Sequence, residues 1–416
     1  MRGMGFSEFM KIYIKTFGCR VNQVESEALL EEFLRHGHQI ITTPQYADIC
    51  IINTCSVTRN ADKDALKEAN LIKRKNPNAR LILTGCFARH GAKEILEKIK
   101  EVEIVQKENL PQELFKQDID WTVKEHHGKT RAFVKIQDGC TNFCTYCIVP
   151  FTRPIKTSKP KEIVLKEIKN LIAAGYKEIV LTGINIGNYF CTETKTNLAS
   201  LVKEIFALEG NFRIRFSSIE LPTVTDELLE IISTEKNKFC NYLHLPLQSG
   251  SSKVLKEMNR HYTAEDFEKR VQEIRKKIKD IFIYTDIIAG FPTESLEDFE
   301  NSVAFVRKIG FAGLHVFSYS PRPMTAATKL PQIPPTEIKR RADILREEDL
   351  ILRQNAAESL INTTQEILVE EFSKDGKCQV ATAANFQKVL VPLNIPKNTL
   401  VKVKITHAQD GICYAE

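Results

Sequence analysis

The chain has 416 residues, with 59 basic and 53 acidic side chains, a formal net charge of +6 and 43% hydrophobic residues. This length suits two or three domains, and this composition is typical of globular proteins. No apolar run approaches the ~18 residues of a membrane span, and the opening MRGMGFSEFM lacks the apolar core of a signal peptide, so we expect a cytoplasmic protein with no membrane partner. In that compartment, the eleven cysteines favour metal binding or thiol chemistry over disulfides.

The N-terminal region, residues 10–122, alternates strand-like and helix-like patterns. Its apolar runs are Lys11–Cys19, Ala47–Cys55 and Ala79–Cys86, and its helical segments are Glu25–Arg35 and Asp62–Lys75. This alternation predicts an α/β domain with a parallel sheet and right-handed crossovers. Each apolar run ends on a cysteine. Because parallel strands bring their carboxyl ends to one edge, Cys19, Cys55 and Cys86 are expected to meet in space.

Residues 126–356 form a second alternating region. Its predicted strands are Thr130–Gln137, Glu178–Leu181, Phe212–Phe216, Tyr242–Leu247, Phe282–Ile288 and Gly313–Phe317. Helical patterns lie between them, as in a β/α barrel. Six such units rather than eight predict a partial, open barrel. Three prolines then precede a charged helix predicted at Glu337–Leu360.

The last region, residues 358–416, consists of short strand-like runs such as EILVEEF and LVKVKITHA. We interpret it as a small β-barrel of the kind that includes nucleic-acid-binding folds. Lysines recur along it, and they either contact phosphates or simply form the solvated outer face of the barrel. These lysines are Lys374, Lys377, Lys388, Lys397, Lys402 and Lys404.

The stretch DGCTNFCTYCIVP places Cys140, Cys144 and Cys147 four and then three positions apart, directly after the first predicted barrel strand. A four-iron cluster normally takes four thiolates, so three leave one iron free to bind something else. The spacing, with Tyr146 before the last cysteine, resembles the signature of radical S-adenosylmethionine enzymes. The alternative is a zinc site completed by a histidine such as His126 or His127.

The N-terminal cysteines admit two interpretations. Each alone could be a small core residue, as we expect for Cys50, which lies within a strand rather than at its end. Three strand-ending cysteines on one sheet edge are better explained as a second set of cluster ligands with one iron left open.

Over nearly its whole length the chain resembles the methylthiotransferases that modify tRNA or a ribosomal protein. The motifs that carry this resemblance are FGCRVNQVESE, NTCSVTRNADKDA, LTGCFAR, IQDGCTNFCTYCIVP, LTGINIG, LHLPLQSGS, TDIIAGFPTE and YSPRP. The C-terminal β-segment looks like the RNA-binding TRAM domain of that family. The resemblance therefore implies a radical S-adenosylmethionine barrel between an N-terminal α/β domain and a TRAM barrel.

The resemblance also implies the chemistry: two 4Fe–4S clusters and S-adenosylmethionine. The Cys19/Cys55/Cys86 cluster would carry the sulfur, and one S-adenosylmethionine would methylate it. A second, cleaved at the Cys140/Cys144/Cys147 cluster, would give a radical that takes hydrogen from an unactivated C–H bond. Such a bond has no acidic proton, so general acid–base catalysis is insufficient. An electron donor such as flavodoxin or ferredoxin and a sulfur source are the further partners implied.

Residues around the ends of the predicted barrel strands are expected to bind S-adenosylmethionine. They are Tyr146, Gly183, Asn185, Ser217, Ser218, Gln248 and Gly290. At Gly290 the missing side chain would allow close backbone approach to the ligand. Each could instead be a turn residue. His244 and Gln248 could also face substrate, although His244 is better explained as a satisfied core histidine.

Within the family, VKIQDGC and NTCSVT followed by NADKDA look most like the branch that acts on N6-threonylcarbamoyladenosine in tRNA. That base lies in the single-stranded anticodon loop, where proteins can splay and stack bases. The alternatives are isopentenyladenosine in tRNA and an aspartate of a ribosomal protein. A different class, a non-catalytic zinc-containing RNA-binding protein, also stays open at this point.

Overall fold

The computed structural model describes residues 9–235, 237–392 and 394–416. The first eight residues, most of the segment assessed above for a signal peptide, lie outside the described residues. No helix within the described ranges is both long enough and apolar enough to cross a membrane.

The N-terminal unit is a five-stranded, all-parallel sheet in the order β2-β1-β3-β4-β5. Its elements are β1 Lys11–Thr16, α1 Arg20–Arg35, β2 Gln39–Ile40, β3 Ile49–Thr54, α2 Arg59–Lys75, β4 Arg80–Gly85, α3 Cys86–His90, α4 Ala92–Lys98, β5 Val102–Ile104 and α5 Leu110–Phe115. Every residue of β3 is buried, because helices cover both faces of the sheet. The parallel sheet is confirmed, and the short edge strands β2 and β5 are additions that the sequence pattern did not predict.

The central unit contains six parallel strands that follow one another in chain order. Its elements are β6 Arg131–Asp138, α6 Val149–Thr152, β7 Thr157–Ser158, α7 Lys161–Ala173, β8 Glu178–Gly183, β9 Phe190–Cys191, β10 Thr196–Asn197, α8 Leu198–Phe206, β11 Arg213–Phe216, α9 Asp226–Thr234, β12 Tyr242–His244, α10 Ser252–Glu257, α11 Ala264–Lys277, β13 Phe282–Ala289, α12 Leu296–Ile309 and β14 Gly313–Ser318. The long helix α13, Pro335–Glu358, then packs on β13 and β14.

These six strands form two ladders, β6-β8-β11 and β12-β13-β14, with β7 added antiparallel to β6. Isolated parallel bridges, Ile214 with Phe239 and Ser218 with His244, join the two ladders. Within the described residues β14 does not pair with β6, so the barrel stays open on that side. The partial six-strand barrel predicted from the sequence is confirmed.

The C-terminal unit is a closed five-stranded barrel in the order β15-β16-β17-β19-β18. Its strands are β15 Thr364–Phe372, β16 Gln379–Ala383, β17 Lys388–Val391, β18 Leu400–Gln409 and β19 Ile412–Ala415. Ile367, Val389 and Ile405 fill its interior and are fully buried. The predicted small β-barrel is therefore confirmed.

The C-terminal barrel packs against the beginnings of the central strands. Arg213 and Arg215, at the start of β11, donate hydrogen bonds to the backbone carbonyls of Thr382 (3.0 Å) and Ala383 (3.1 Å). Phe386 packs on the ring of Tyr242, the first residue of β12, at 4.8 Å between centroids. One end of the central barrel is thus covered, and the opposite end, where the strands finish, carries the cysteines.

Candidate functional site

The loop after β6 holds Cys140, Cys144 and Cys147 in a fixed backbone conformation. Gly139 has φ +73°, and a Cβ at this position would come within 2.2 Å of the carbonyl oxygen of Ile155, so only glycine fits. The Thr145 backbone amide donates to Met258 (3.0 Å), and the Cys147 amide donates to Cys144 (2.9 Å). The three thiols are therefore positioned by the backbone.

These thiols lie in a partly buried site with one nearby cation. Burial raises the pKa of Cys147 to about 12 and also raises the pKa of Cys140. Arg260 places Nη1 3.5 Å from the sulfur of Cys144 and pairs with Glu220. Such thiols keep their protons until a metal displaces them, and the guanidinium then offsets part of the thiolate charge.

The three N-terminal cysteines lie at one edge of the parallel sheet, after the adjacent strands β1, β3 and β4. Cys19 immediately precedes α1, Cys55 follows β3, and Cys86 is the first residue of α3, so each follows its strand rather than ending it. A Cβ on Gly18 would come within 2.5 Å of the Cys55 sulfur, which shows how closely these segments approach. Cys50 is fully buried inside β3, away from this edge.

Burial also raises the pKa of Cys19, and it raises the pKa of Cys55 to about 11. In each cysteine trio, the distances between the sulfur atoms differ from those of a site for a single metal ion. Tetrahedral zinc holds its sulfurs about 3.8 Å apart, given Zn–S bonds of about 2.3 Å. Among the described residues, neither cysteine trio brings its three sulfurs within 4.8 Å of one another.

The histidines considered as zinc ligands have other partners. His126 Nε2 is hydrogen-bonded to the backbone of Phe133 at 3.0 Å, and its ring packs edge-on against Tyr176. His127 contacts Glu27 at 3.4 Å. The donor set at each trio therefore consists of thiols, which fits an iron–sulfur cluster with one open position.

A cavity of ≈ 190 Å³ is lined by Cys147 and by residues that follow Cys55 in the chain. Val57 and Thr58, which follow Cys55, form one wall, and Cys147 with its neighbours forms another. The lining residues are Val57, Thr58, Tyr146, Cys147, Ile148, Val149, Gln248, Asp286, Ile288, Phe317, Ser318, Tyr319 and Ser320. A substrate atom in this cavity would be adjacent to Cys147 and to the segment that follows Cys55.

Two of the predicted S-adenosylmethionine ligands carry buried polar atoms without a protein partner. Asn185 follows β8 and Ser217 follows β11, and the Asn185 Oδ1 and Ser217 Oγ atoms have no hydrogen-bond partner among the residues that the structure describes. Buried polar atoms in proteins are normally paired, so these two fit a polar ligand at the strand ends. Gln248, at φ +77°, lines the cavity directly, and Ser218 bridges β12 at His244.

The other predicted ligands are explained in part by packing. A Cβ on Gly183 would lie 2.9 Å from the carbonyl oxygen of Gln137, and one on Gly290 would lie 2.6 Å from Ile338 of α13. These glycines therefore make room for a neighbouring strand and a helix, and neither lines the cavity. Tyr146 does line it.

Sequence reasoning missed Arg260, Glu220 and Asp286. Asp286 accepts a hydrogen bond from His244 (2.8 Å) and contacts His315 (3.3 Å) while lining the cavity. An aspartate inside the apolar run FIYTDIIA was the available signal for it. Arg260 and Glu220 gave no local signal, because the contact with Cys144 spans 116 positions.

All six predicted RNA-contacting lysines are exposed on the C-terminal barrel. They are Lys374, Lys377, Lys388, Lys397, Lys402 and Lys404. In addition, the rings of His407 and Tyr414 stack at 4.2 Å between centroids. Residues 364–416 contain six lysines and six acidic side chains, so the charge of this barrel is balanced overall, which is compatible with both interpretations given above.

Two family descriptions match the chain. Residues 11–106 match the uncharacterized protein family UPF0004, and residues 134–306 match the Radical SAM superfamily. Among solved structures, the radical S-adenosylmethionine methyltransferase TsrM from Kitasatospora setae aligns with TM-score 0.55 at 13% identity, covering 76% of this chain and 75% of that one. The radical enzyme OxsB aligns with TM-score 0.53 at 12% identity, covering 83% of this chain and 56% of that one. These two likenesses concern the fold.

Curated relatives cover almost the whole chain. The threonylcarbamoyladenosine tRNA methylthiotransferase MtaB of Chlamydia pneumoniae is 34% identical, with 94% of each chain covered. The tRNA-2-methylthio-N(6)-dimethylallyladenosine synthase of Thermodesulfovibrio yellowstonii is 35% identical, covering 96% of this chain and 98% of the relative. MtaB of Aquifex aeolicus is 36% identical, covering 83% and 89%. The alternative of a non-catalytic zinc protein is thereby excluded, and the chain belongs to the radical S-adenosylmethionine methylthiotransferases, enzymes that transfer a methylthio group.

Proposed function

We propose that this enzyme converts N6-threonylcarbamoyladenosine, next to the anticodon of tRNA, to its 2-methylthio derivative. The observation that carries the proposal is the cavity lined both by Cys147 and by Val57 and Thr58, which follow Cys55. A methylthio transfer needs hydrogen removal and sulfur delivery at the same carbon. A cavity that reaches Cys147 and the segment following Cys55 supports that requirement.

The proposal includes two 4Fe–4S clusters, one held by Cys140, Cys144 and Cys147 and the other by Cys19, Cys55 and Cys86. When bound, the first supplies the electron that cleaves S-adenosylmethionine, and the second holds the sulfur to be inserted. The wide spacing of the thiols and the missing fourth ligand support clusters with one open iron.

The chain's own residues would bind and orient the reactants. Asn185 and Ser217 offer unpaired polar atoms to S-adenosylmethionine at the strand ends, and Gln248 reaches the same cavity. Apolar side chains such as Ile288 and Phe317 exclude water from a site where a radical would otherwise be quenched.

The choice of nucleoside rests on the cavity wall, because the relatives described above include enzymes named for threonylcarbamoyladenosine and for dimethylallyladenosine. In the cavity, Gln248 places an amide group on the wall, which suits the urea, hydroxyl and carboxylate of the threonylcarbamoyl group better than an apolar isopentenyl group. The isopentenyladenosine reaction is the second candidate.

The exposed lysines of the C-terminal barrel would contact tRNA phosphates, so binding should weaken as salt rises. We also propose a cytoplasmic location and an electron donor such as flavodoxin or ferredoxin. The electron donor is proposed because cleavage of S-adenosylmethionine requires an electron.

The test is mass spectrometry of tRNA nucleosides from a strain that lacks the gene. We expect 2-methylthio-N6-threonylcarbamoyladenosine to disappear and its unmethylthiolated precursor to accumulate, with wild-type protein restoring the product and Cys140→Ala failing to. Loss of the 2-methylthio group from isopentenyladenosine alone would reverse the choice of nucleoside. No change in either nucleoside would contradict both reactions.

A further inference from the structure

A second cavity, of ≈ 470 Å³, lies between the N-terminal unit and the loop that follows β14. Helices α2 and α4 form most of its wall, and Pro321, Arg322 and Pro323 complete it from the central unit. Among the described residues, none lines both this space and the ≈ 190 Å³ cavity that contains Cys147, which we call the substrate cavity. The second cavity is therefore a separate site.

The two cavities meet at one contact between the N-terminal and central units. Thr58 lines the substrate cavity, and the next residue, Arg59, lines the second cavity. Ser320 and Pro321 divide between the two spaces in the same way. The Arg59 backbone amide donates to Ser320 Oγ at 3.2 Å, which holds the two segments together where the cavities meet. A nucleic-acid strand with one nucleoside in the substrate cavity would therefore run past the second cavity.

The second cavity carries an excess of positive charge, and we call it the basic pocket. Its charged wall residues are the cations Arg59, Lys63, Lys93, Lys98 and Arg322 and the carboxylates Asp62, Glu94 and Glu97. Among the described residues that line it, none is a cysteine, so the cluster thiolates lie outside this wall. Five cations against three carboxylates leave two positive charges uncompensated, which favours an anion.

Three of these cations are free to take a ligand. Within the described part of the chain, the exposed side chains of Arg59, Lys63 and Lys93 make neither an ion pair nor a hydrogen bond. The other two cations pair within the wall, Lys98 with Glu94 and Arg322 with Asp62. The three unpaired groups can therefore bind a phosphate without breaking an existing ion pair.

Arg322 adds a buried donor to the same wall. Its side chain is only 3% exposed, and its Nη2 donates to Ser56 Oγ at 2.7 Å and to Asp62. Its Nε is buried and has no hydrogen-bond partner among the residues that the structure describes. A buried guanidinium N–H without a protein acceptor, in the wall of a basic pocket, points to an anion that accepts from it.

On the basis of the proposed function, we propose that the basic pocket binds a backbone phosphate of the tRNA anticodon loop, next to the nucleoside in the substrate cavity. A phosphodiester carries one negative charge, and its free oxygens accept hydrogen bonds from lysine and arginine. The C-terminal barrel has six acidic side chains for its six lysines. The uncompensated cations beside the substrate cavity are therefore the better placed to hold the loop. This binding makes and breaks no covalent bond.

The experiment measures how an anticodon stem-loop RNA binds to the full chain with its clusters reconstituted under anaerobic conditions. The test variant is Lys63→Ala/Lys93→Ala, which removes two exposed, unpaired cations from the pocket. The control is Lys166→Ala/Lys169→Ala, because these two lysines are also exposed and unpaired within the described chain but lie on α7 and line neither cavity. Fluorescence anisotropy at several salt concentrations gives the affinity and its salt dependence.

We expect Lys63→Ala/Lys93→Ala to weaken binding about tenfold and to lower the slope of log Kd against log salt by about 1. The control should bind like wild type. RNA that carries threonylcarbamoyladenosine and RNA that carries isopentenyladenosine should lose affinity alike, because a phosphate contact does not read the base. A salt slope in the test variant equal to that of the control would overturn the phosphate site.

A second measurement locates the contact on the RNA. An uncharged methylphosphonate replaces the phosphate on one side or the other of the modified nucleoside. At one of these positions we expect it to weaken wild-type binding about tenfold but Lys63→Ala/Lys93→Ala binding less than about twofold, since the partner charges are already gone. Equal losses in the two proteins at both positions would overturn the proposal.

Product analysis with the same two RNAs separates this proposal from the proposed function. Wild-type protein that methylthiolates only the isopentenyladenosine RNA would reverse the choice of nucleoside and leave the phosphate site standing. Threonylcarbamoyladenosine RNA that is methylthiolated by wild type but binds both double variants alike would overturn the phosphate site alone.

Discussion

Ser217 is a residue whose environment is explained better by a ligand than by the fold. Its backbone amide continues the sheet by donating to Leu181 at 2.9 Å, but its buried Oγ has no partner. A buried hydroxyl without a partner costs about 1–3 kcal/mol. Removing that hydroxyl should therefore cost the folded protein little and cost ligand binding more.

We expect Ser217→Ala to weaken S-adenosylmethionine binding by about tenfold, the value of one hydrogen bond of roughly 1.4 kcal/mol. Calorimetric titration of the reconstituted protein measures this. Ser359→Ala is the control, because Ser359 lies at the end of α13 and its hydroxyl bonds only to the carbonyl oxygen of Ala356. Equal affinity in the two variants would exclude Ser217 as a ligand.

At the scale of elements, the short strand β11 holds the central barrel to the C-terminal barrel. Arg213 and Arg215 stand two positions apart and so point to the same face of the strand. Both pair with Glu178 at the start of β8, at 2.8 Å and 2.7 Å, while their remaining donors reach carbonyl oxygens of the C-terminal barrel. Glu178 is therefore the buried carboxylate that the two guanidinium groups share, and the partly exposed Glu366 lies 3.6 Å from Arg213.

Glu178→Ala leaves Arg215 without its carboxylate and Arg213 with the partly exposed Glu366, and we expect a destabilisation of about 3–5 kcal/mol. The thermal unfolding midpoint should fall, and limited proteolysis should release the C-terminal barrel earlier than in wild type. Glu204→Ala removes the half-exposed partner of Lys161 and should cost less than about 1 kcal/mol. Similar behaviour of the two variants would show that Glu178 does not stabilise this contact.

At the scale of the whole molecule, buried charges join the N-terminal sheet to the central barrel. Glu25 in α1 pairs with Lys135 of β6 and with Arg153, which follows α6. Arg153 also pairs with Asp138 at the end of β6. Burial alone would raise the pKa of Glu25, but Arg153 and the neighbouring lysines outweigh it and hold that pKa well below its usual range. The pKa of Asp138 is also held below its usual range, because the nearby cations, Lys135 first among them, outweigh the opposing effect of burial.

Acid should weaken the contact between the N-terminal sheet and the central barrel. Because the folded-state pKa values of Glu25 and Asp138 lie below those of the unfolded chain, their stabilisation is complete above about pH 4 and is lost as the pH falls further. The chain's single tryptophan, Trp121, lines a cavity together with Lys135, Asp138 and Arg153 and reports on this contact. We expect its fluorescence to change below about pH 4 in wild type.

Glu25→Gln should change the midpoint of that acid transition, since one of the titrating groups is gone. A transition identical in the two proteins would mean that other carboxylates control acid unfolding.

The sequence predicted what depends on local pattern and missed what depends on distant contacts. The parallel N-terminal sheet and the six-strand barrel followed from the alternation of apolar and amphipathic segments, and the candidate cysteines followed from their spacing and from their places after predicted strands. Arg153 could not be found in this way, since its contact with Glu25 spans 128 positions. The packing reason for Gly290 was equally hidden, because the side chain that approaches it, Ile338, lies 48 residues later in the chain.

The central claim is that two separate sets of three thiols each hold an iron cluster. Quantifying iron, together with Mössbauer spectroscopy, tests it most directly in three anaerobically reconstituted proteins. These are wild type, the triple variant of Cys19, Cys55 and Cys86 to alanine, and the triple variant of Cys140, Cys144 and Cys147 to alanine.

We expect about eight irons in wild type and about four in each triple variant, all as four-iron clusters. Only the variant that retains Cys140, Cys144 and Cys147 should still cleave S-adenosylmethionine, and neither variant should form the methylthio product. Full iron content or full product formation in the variant that lacks Cys19, Cys55 and Cys86 would contradict the claim.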